Sequence, residues 1–287
     1  MSVLPPGREP SQADIRSRWR AQRSFVEFMA AQPGGRYWIC ESDAGPVAFA
    51  RVVRLGDIEE LTELMVEPGH QGRGIGAALL RRCWPDDSEG SLVRVVVAAG
   101  APRDLSLYLS FGVMPATGHW HLRQQGREYL DRRGREAAAA GAGDHAGLVL
   151  SGERALDEWT RIEPLALGRA RRPLHEFMAR ERFCVARLDP VSERPRALCW
   201  VGGDGQIGPG VAERAEDLVA VVLAALDRVA RSPEGEQLSL FATSSSWPLL
   251  RRLRGLGFRL YWPSWVMASV PLPGLDRYLP TRPPNLL

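Results

Sequence analysis

Apolar residues recur along this chain with two periods, three to four residues in some stretches and two in others, and the switches between them mark the elements. Residues 11–31 place Ile15, Trp19, Phe25, Val26 and Met29 on one stripe behind Ser11, a fair N-cap. One helix, or two in succession, is expected there, and Gly34-Gly35 stops it. Residues 36–41, 46–54 and Ile58–Val66 then read as strands of an antiparallel meander, turned at Asp43-Ala44-Gly45 and Leu55-Gly56-Asp57. After a glycine-rich stretch, 77–82 is helix-forming, 92–98 (LVRVVVA) is a buried strand, and 103–111 is a helix stopped by Gly112. A strand over 113–123 closes the series.

The same order returns later. A strand at Leu148–Leu150 precedes helices over 155–163 and 171–182, then strands over 183–188 and 196–201. A hairpin turn at 202–205 follows, and residues 206–212 lead into a helix over 215–231. Strand 238–242, helix 247–256 and strand 259–270 complete the second series. Between the two, 127–136 continues as helix, and the Ala/Gly-rich run from Ala137 reads as a linker. The expected organisation is a first domain over 1–138, a linker over 139–147 and a second domain over 148–287. Residues 1–10 hold three prolines and offer only Val3-Leu4 as a strand. The last seventeen, 271–287, hold five prolines and are expected to run over a surface.

Composition narrows the function. With 287 residues, 45% hydrophobic and 25% charged, the chain suits one large or two medium globular domains. The net charge of +3 comes without a free-standing basic block, so nucleic-acid binding is not indicated. All 37 basic residues are arginine, so no lysine side chain here accepts an acyl group. The four cysteines form no CxxC pair and no cluster with histidine, which points to reduced thiols, a cytoplasmic setting and no metal. No apolar run reaches a membrane span, and the N-terminus lacks a signal-peptide core.

The candidate chemistry lies between the third strand and the next helix. Gln71-Gly72-Arg73-Gly74-Ile75-Gly76 follows the strand end at Pro68-Gly69 and runs into Ala77. Glycines there allow positive φ and close approach of a ligand to the backbone. The N–H groups at a helix start lack intrahelical acceptors, and Arg73 adds a fork of donors, so the loop reads as a pyrophosphate cradle. A Walker loop is excluded by the missing lysine, and a G-x-G-x-x-G fingerprint by glycines at 72, 74 and 76. The plain alternative is a glycine-rich turn before an ordinary helix.

The stretch Gln-x-x-Gly-x-Gly after a Val-x-Pro strand end closely resembles the coenzyme A loop of the GNAT superfamily of acyl-CoA N-acyltransferases. Leu107-Tyr108-Leu109-Ser110-Phe111-Gly112-Val113 resembles that family's Leu-Tyr-x-x-x-Gly-Phe segment, in the family's order and spacing. The second half, with Ile207-Gly208-Pro209 and a late Trp265-Val266-Met267, resembles the divergent C-terminal half of tandem GNAT proteins. The resemblance implies an α/β (α+β) fold of two tandem GNAT-like domains, each with a mixed, mostly antiparallel central sheet flanked by helices. It implies acetyl-CoA as co-substrate, bound by Leu64, Met65 and Val66 on the strand and by Gln71, Gly72, Arg73, Gly74, Ile75, Gly76 and Ala77 in the cradle. Tyr108 falls where a hydroxyl protonates the leaving thiolate, and Glu60 where histone-type members keep a glutamate base working through water. Many members carry asparagine seven residues before the tyrosine, and here that position is Ala101. The second half has no matching glycine loop, and Leu253 stands where the first half has Tyr108, so a degenerate partner domain is expected. Some anion affinity is left open at 207–212.

Glu63 is a candidate for binding a cationic substrate or else a solvated strand charge. His119 and His121 flank Trp120 on one strand face, and an outward polar face, bordering the acceptor site, is preferred over a metal pair because no third ligand is visible. Tyr261, Trp262 and Trp265 are expected to pack, with a substrate platform as the lesser reading. The expected function is transfer of acetyl from acetyl-CoA to a primary amine, by a monomer or homodimer, with a small-molecule acceptor favoured over a protein N-terminus. A non-catalytic acyl-CoA binder and an interaction module without cofactor are the alternatives.

Overall fold

A computed structural model describes residues 11–85, 90–140 and 147–281. Residues 1–10, with the candidate strand Val3-Leu4, and 141–146, within the expected linker, lie outside the described residues, as does the end of the proline-rich tail. The chain divides into two compact units, one of residues 1–54 and 61–90, the other of 55–60 and 91–287. The strand that leads to the cradle therefore contributes its first residues to one unit and its remainder to the other.

The first unit opens with α1 (Gln12–Ala30), a single helix. Ser11 and Asp14 cap it reciprocally: the Asp14 amide donates to the Ser11 hydroxyl at 3.1 Å and the Ser11 amide to the Asp14 carboxylate at 3.0 Å. The strands β1 (Arg36–Ser42), β2 (Gly45–Leu55) and β3 (Ile58–Val66) follow as the expected meander. After β3 comes α2 (Ile75–Cys83), which buries Leu79, Leu80 and Cys83.

In the second unit, β4 (Val93–Ala98), α3 (Pro102–Leu109), β5 (Met114–Gln125) and α4 (Gly126–Ala140) come first. Residues 137–140 thus belong to a helix and not to a linker; alanine is the best helix former, and nothing before Gly141 breaks the run. Then follow β6 (Leu148–Leu150), α5 (Gly152–Leu167), α6 (Arg172–Glu181), β7 (Arg182–Leu188), β8 (Pro195–Gly202), β9 (Ile207–Ala212) and α7 (Ala215–Ala230). The last are β10 (Gln237–Thr243), α8 (Trp247–Gly255), β11 (Arg259–Ala268) and the short β12 (Tyr278–Leu279).

The repeat is regular. Helix α8 starts at Trp247 and α3 at Pro102, β11 at Arg259 and β5 at Met114, in each case 145 positions apart. Strands from both sides of residue 140 share one sheet, in the order β4-β11-β5-β10. Trp265 of β11 faces Ala98 of β4 on one side and Gly118 of β5 on the other, while His119 of β5 faces Thr243 of β10. Each half thus places its last long strand beside the preceding strand of the other half. A second sheet runs β12-β9-β8-β7-β6. Helix α7 supplies the core of this unit, with Leu218, Val221, Val222, Ala225 and Leu226 buried among Val185, Cys199, Ile207, Leu240 and Leu253.

One buried charge cluster ties α5, α6 and β12 together. The Arg171 Nε and Nη2 donate to the Glu163 carboxylate at 3.1 and 2.8 Å, and its amide does so at 2.7 Å. His175 Nε2 lies 2.9 Å from the same carboxylate, and Nδ1 accepts from Trp200 Nε1 at 3.1 Å. Arg171 Nη2 also donates to the Tyr278 hydroxyl. Burial pushes the Glu163 carboxyl up, but Arg171 and His175 outweigh it and hold its pKa at about 2. A depressed carboxyl contributes stability above its ordinary value of 4.5 and loses it as the pH falls towards 2. Thermal melts between pH 5 and 2 (an approximate window set by that linkage) are expected to show a falling Tm in the wild type, with a weaker slope in Glu163→Gln. Arg171→Met alone leaves Glu163 buried without its cation and is expected to cost about 3–5 kcal/mol in chemical denaturation.

Candidate functional site

β3 ends at Val66, and a single 3-10 turn at Pro68–His70 redirects the chain, with the His70 amide donating to the Glu67 carbonyl at 2.8 Å. Gln71 is extended, and its side-chain Nε2 donates to the Val66 carbonyl at 2.9 Å, which fastens the loop to the strand end. Gly72 and Gly74 take φ of 77° and 81°, the left-handed region in which a side chain is strained. Gly74 is the N-cap of α2 and no side chain caps the helix. A Cβ at Gly72 or Gly74 would meet nothing within 4 Å, so the loop surface is open. The helix ladder begins with the Ala78 amide donating to the Gly74 carbonyl at 3.0 Å. The amides of Ile75, Gly76 and Ala77 stand before that bond and have no acceptor within the helix. Arg73 is exposed beside them. Among the cradle glycines, Gly76 is helical, so its part is close approach and not a special dihedral.

On β3, Leu64 and Val66 are half-buried and Met65 is 60% exposed. Glu63 is not a free charge. Arg51 Nη2 lies 2.5 Å from its carboxylate, and Arg51 Nε also donates to Thr62 Oγ1 at 3.3 Å. Glu63, a candidate for binding a cationic substrate or else a solvated strand charge, is thus paired with Arg51 within the first unit. This pair borders a cavity of about 450 Å³ with apolar walls from Trp19, Met29, Tyr37 and Phe49. Nothing in the sequence signals the Arg51–Glu63 pair beyond an arginine at the centre of an apolar strand.

In the second unit, Glu60 is 2% exposed on the first part of β3. Tyr108 is buried in α3, whose carbonyl accepts from the amides of Phe111 at 3.0 Å and Val113 at 3.2 Å. Burial, and then the charge of Asp104, pushes the Tyr108 phenol up to about 12, so it stays protonated at neutral pH. Gly112 closes the helix with φ of 74°. Leu253 occupies the matching place in α8, with the Phe258 amide on its carbonyl at 3.0 Å and Gly257 at φ of 90°. It has no hydroxyl to offer. Ala101 is the N-cap of α3 and makes no side-chain bond, and the Trp265 ring lies against Gly100, where a Cβ would be 2.5 Å from it.

Two further expectations change. His119 and His121 are buried and not on an outward face. Both rings stack on Phe241, at centroid distances of 4.8 and 4.5 Å, and they bond Ser264 at 2.7 Å and Ser239 at 2.6 Å. β5 lies between β11 and β10 in the sheet, and Phe241, Ser264 and Ser239 of those strands pack against the two rings on their shared face. Burial holds His119 down to about 3, a neutral ring at neutral pH. Of the aromatic trio, Trp265 packs as expected, whereas Tyr261 and Trp262 are exposed, Tyr261 beneath the Arg123 guanidinium at 3.5 Å.

The second half offers no cradle. Positions 145 on from Gly72 and Gly74 are Asp217 and Val219, inside α7. Glu216 and Asp217 fill that helix's first turn, which opposes an anion. The segment 207–212, left open as an anion site, is the fully buried strand β9. Among the described residues, no group of three or more His, Cys, Asp or Glu is placed to hold a metal, and no helix is long and apolar enough to cross a membrane.

Residues 33–113 match the model of the acetyltransferase (GNAT) domain family. No curated protein matches the chain. Among solved structures, a Pyrococcus horikoshii protein provisionally described as an acetyltransferase shares 16% identity, with 90% of this chain and 83% of that one covered and a TM-score of 0.65. A tandem GNAT protein from the clavulanic acid biosynthesis pathway shares 18%, covers 88% and 96%, and has a TM-score of 0.52. A GCN5-related N-acetyltransferase from Sphaerobacter thermophilus shares 17%, covers 86% and 84%, and has a TM-score of 0.53.

Gly74→Ala forces a Cβ into the left-handed region and is expected to cost about 1–2 kcal/mol, read as an earlier thermal melt. Gly69→Ala, at a position with neither positive φ nor a neighbour within 4 Å, is the control expected to melt with the wild type.

Proposed function

We propose that this chain, with its match to the acetyltransferase (GNAT) domain family over residues 33–113 and a fold like that of a tandem GNAT protein, is an N-acetyltransferase acting from acetyl-CoA on the primary amine of a small molecule. The observation that carries this reading is the open amide cradle, Gly72 to Ala77, fastened to the end of β3 through Gln71. Its unbonded amides, the α2 dipole and Arg73 suit the diphosphate of coenzyme A. The backbone of Leu64, Met65 and Val66 is assigned to the pantetheine amides and the thioester oxygen.

Acetyl-CoA supplies the acetyl group as a thioester. The neutral amine attacks the carbonyl carbon, the C–S bond breaks, and the surplus amine proton leaves through water towards Glu60. Tyr108 donates to the sulfur as negative charge gathers there. With its phenol raised to about 12, it is a weak acid next to a thiol of about 8.5, so its contribution falls at the low end of general-acid effects. The cavity beside Arg51 and Glu63, about 450 Å³, is of a size for a small ligand and supports a small-molecule acceptor. The second half is assigned a supporting role, without a cofactor site of its own.

Binding without turnover is the second reading, favoured by Ala101 in place of the family's asparagine and by its lack of a side-chain bond at the start of α3. Thiol release from acetyl-CoA with an amine panel separates the two. Turnover is expected for at least one amine. Tyr108→Phe is expected to lower kcat about 100-fold, and an unchanged kcat removes the assigned acid. Coenzyme A at about 100 times its Kd is expected to add about 2.7 kcal/mol of stability, and the absence of any melting shift would sink both readings.

A further inference from the structure

We propose that the acceptor is an α-amino acid with a large apolar side chain, its carboxylate held by Arg51 and its side chain seated in the cavity between α1 and the strands β1 to β3. The proposal rests on the acetyltransferase reading and narrows its substrate.

The cavity lies wholly within the first unit, and its walls have two characters. The apolar part comes from Trp19 and Met29 of α1, Tyr37 of β1 and Phe49 of β2. Met29 is buried, whereas Trp19 and Tyr37 line the cavity and still leave 51% and 57% of their surface to solvent. Large aromatic surfaces left wet beside a cavity favour an apolar group that covers them.

The polar part is Arg36, Arg51 and Glu63, two cations and one anion. Arg36 Nη1 donates to the Cys83 carbonyl at 2.9 Å. Arg51 uses Nη2 on Glu63 and Nε on Thr62, and among the described residues its Nη1 makes no hydrogen bond. Its side chain is 12% exposed, so a carboxylate that reaches it meets a charged donor in reduced dielectric, where such a bond is strong. Glu63 holds the guanidinium in place before any ligand arrives, which lowers the ordering cost of binding.

These walls sort the amines. A polyamine or aminoglycoside brings several cations to a lining whose one carboxylate is already paired and whose other charges are positive. A plain aryl or alkyl amine gains nothing from Arg51. A polar side chain would lose water against Trp19, Met29 and Phe49 without finding a partner. What fits carries one carboxylate and an apolar body, and transfer itself requires an amine; an α-amino acid joins all three at one carbon. Glu63 lines the cavity and Leu64 follows it on β3, a rise of about 3.4 Å. A carboxylate on Arg51 thus holds the substrate beside the strand stretch assigned to the thioester. The α-nitrogen forms the amide bond with the acetyl carbon as the C–S bond breaks. Of the two protons that the α-ammonium gives up, one ends on the sulfur and one in solvent.

Thiol release from acetyl-CoA by the intact chain is compared for L-phenylalanine, L-phenylalaninamide, phenethylamine, L-glutamate and spermidine. L-Phenylalanine is expected to exceed each of the others in kcat/KM by about 10–100-fold, the worth of a charge-assisted hydrogen bond. 3-Phenylpropionate, with ring and carboxylate but no amine, is expected to compete with phenylalanine and not with acetyl-CoA. In Arg51→Gln/Glu63→Gln, which removes both charges of the pair, the preference for phenylalanine over phenethylamine is expected to fall at least about tenfold while the melting shift with coenzyme A persists. Trp19→Ala, at a half-exposed position, is expected to lower kcat/KM about tenfold for phenylalanine and to leave L-alanine unchanged. Faster turnover of the amide, phenethylamine or spermidine than of phenylalanine overturns the amino-acid assignment and leaves the acetyltransferase reading standing. Turnover with no amine removes that reading and the acceptor with it. If the double variant does not fold, Trp19→Ala decides: equal effects on phenylalanine and alanine overturn the seat of the side chain.

Discussion

Both edges of β11 are hydrogen-bonded, one to β4 and the other to β5. Over Trp265–Ala268, where both sides are paired, the backbone donors and acceptors are met by the chain itself and not by water. The residues that do so lie far earlier in sequence, in β4 and β5. This pairing governs how the second unit is built. It sets β5 against β10, brings His119 onto Ser264, and lays Trp265 on Gly100 at the start of α3. The environment of Tyr108's helix is therefore made partly by residues that follow residue 259.

The two halves share spacing and differ in chemistry, and the differences are few. At the cradle, glycine with positive φ is replaced by acidic and apolar residues that let the helix start earlier. The helix then gains length, and α7 becomes the most buried helix of its unit, packed by Leu218, Val221, Val222, Leu226 and Val229. At the other site, tyrosine is replaced by leucine with the backbone turn retained. Where the loop is not held open by glycines, side chains fill the same space. That exchange puts core where the first half has an open loop.

Most elements were legible because local signals were strong. Ser11 announced α1 and does cap it, Ile58–Val66 is a strand to the residue, and Gly72 and Gly74 have the dihedrals that their identity requires. Local signals failed where long-range partners decide. An alternating His-x-His cannot say which face is buried, because the side chains packed on the rings, Phe241 and Ser264, are remote in sequence. An Ala-rich run reads equally as linker and helix, and its own propensity settled the matter at residues 137–140. Arg51 and Arg171 look like two more arginines in an arginine-rich chain. Their roles depend on carboxylates 12 and 8 residues away, and no periodicity encodes such pairings.

The central position of β11 also bears on how the gene can change. A stop codon or frameshift before residue 259 would delete the strand that keeps β4 and β5 together, leaving two bare β-edges where a continuous ladder had been. Selection for whatever the first half does is then sufficient to retain the chain through β11. The later half is thereby a structural part of the earlier one, through the β4-β11-β5 ladder.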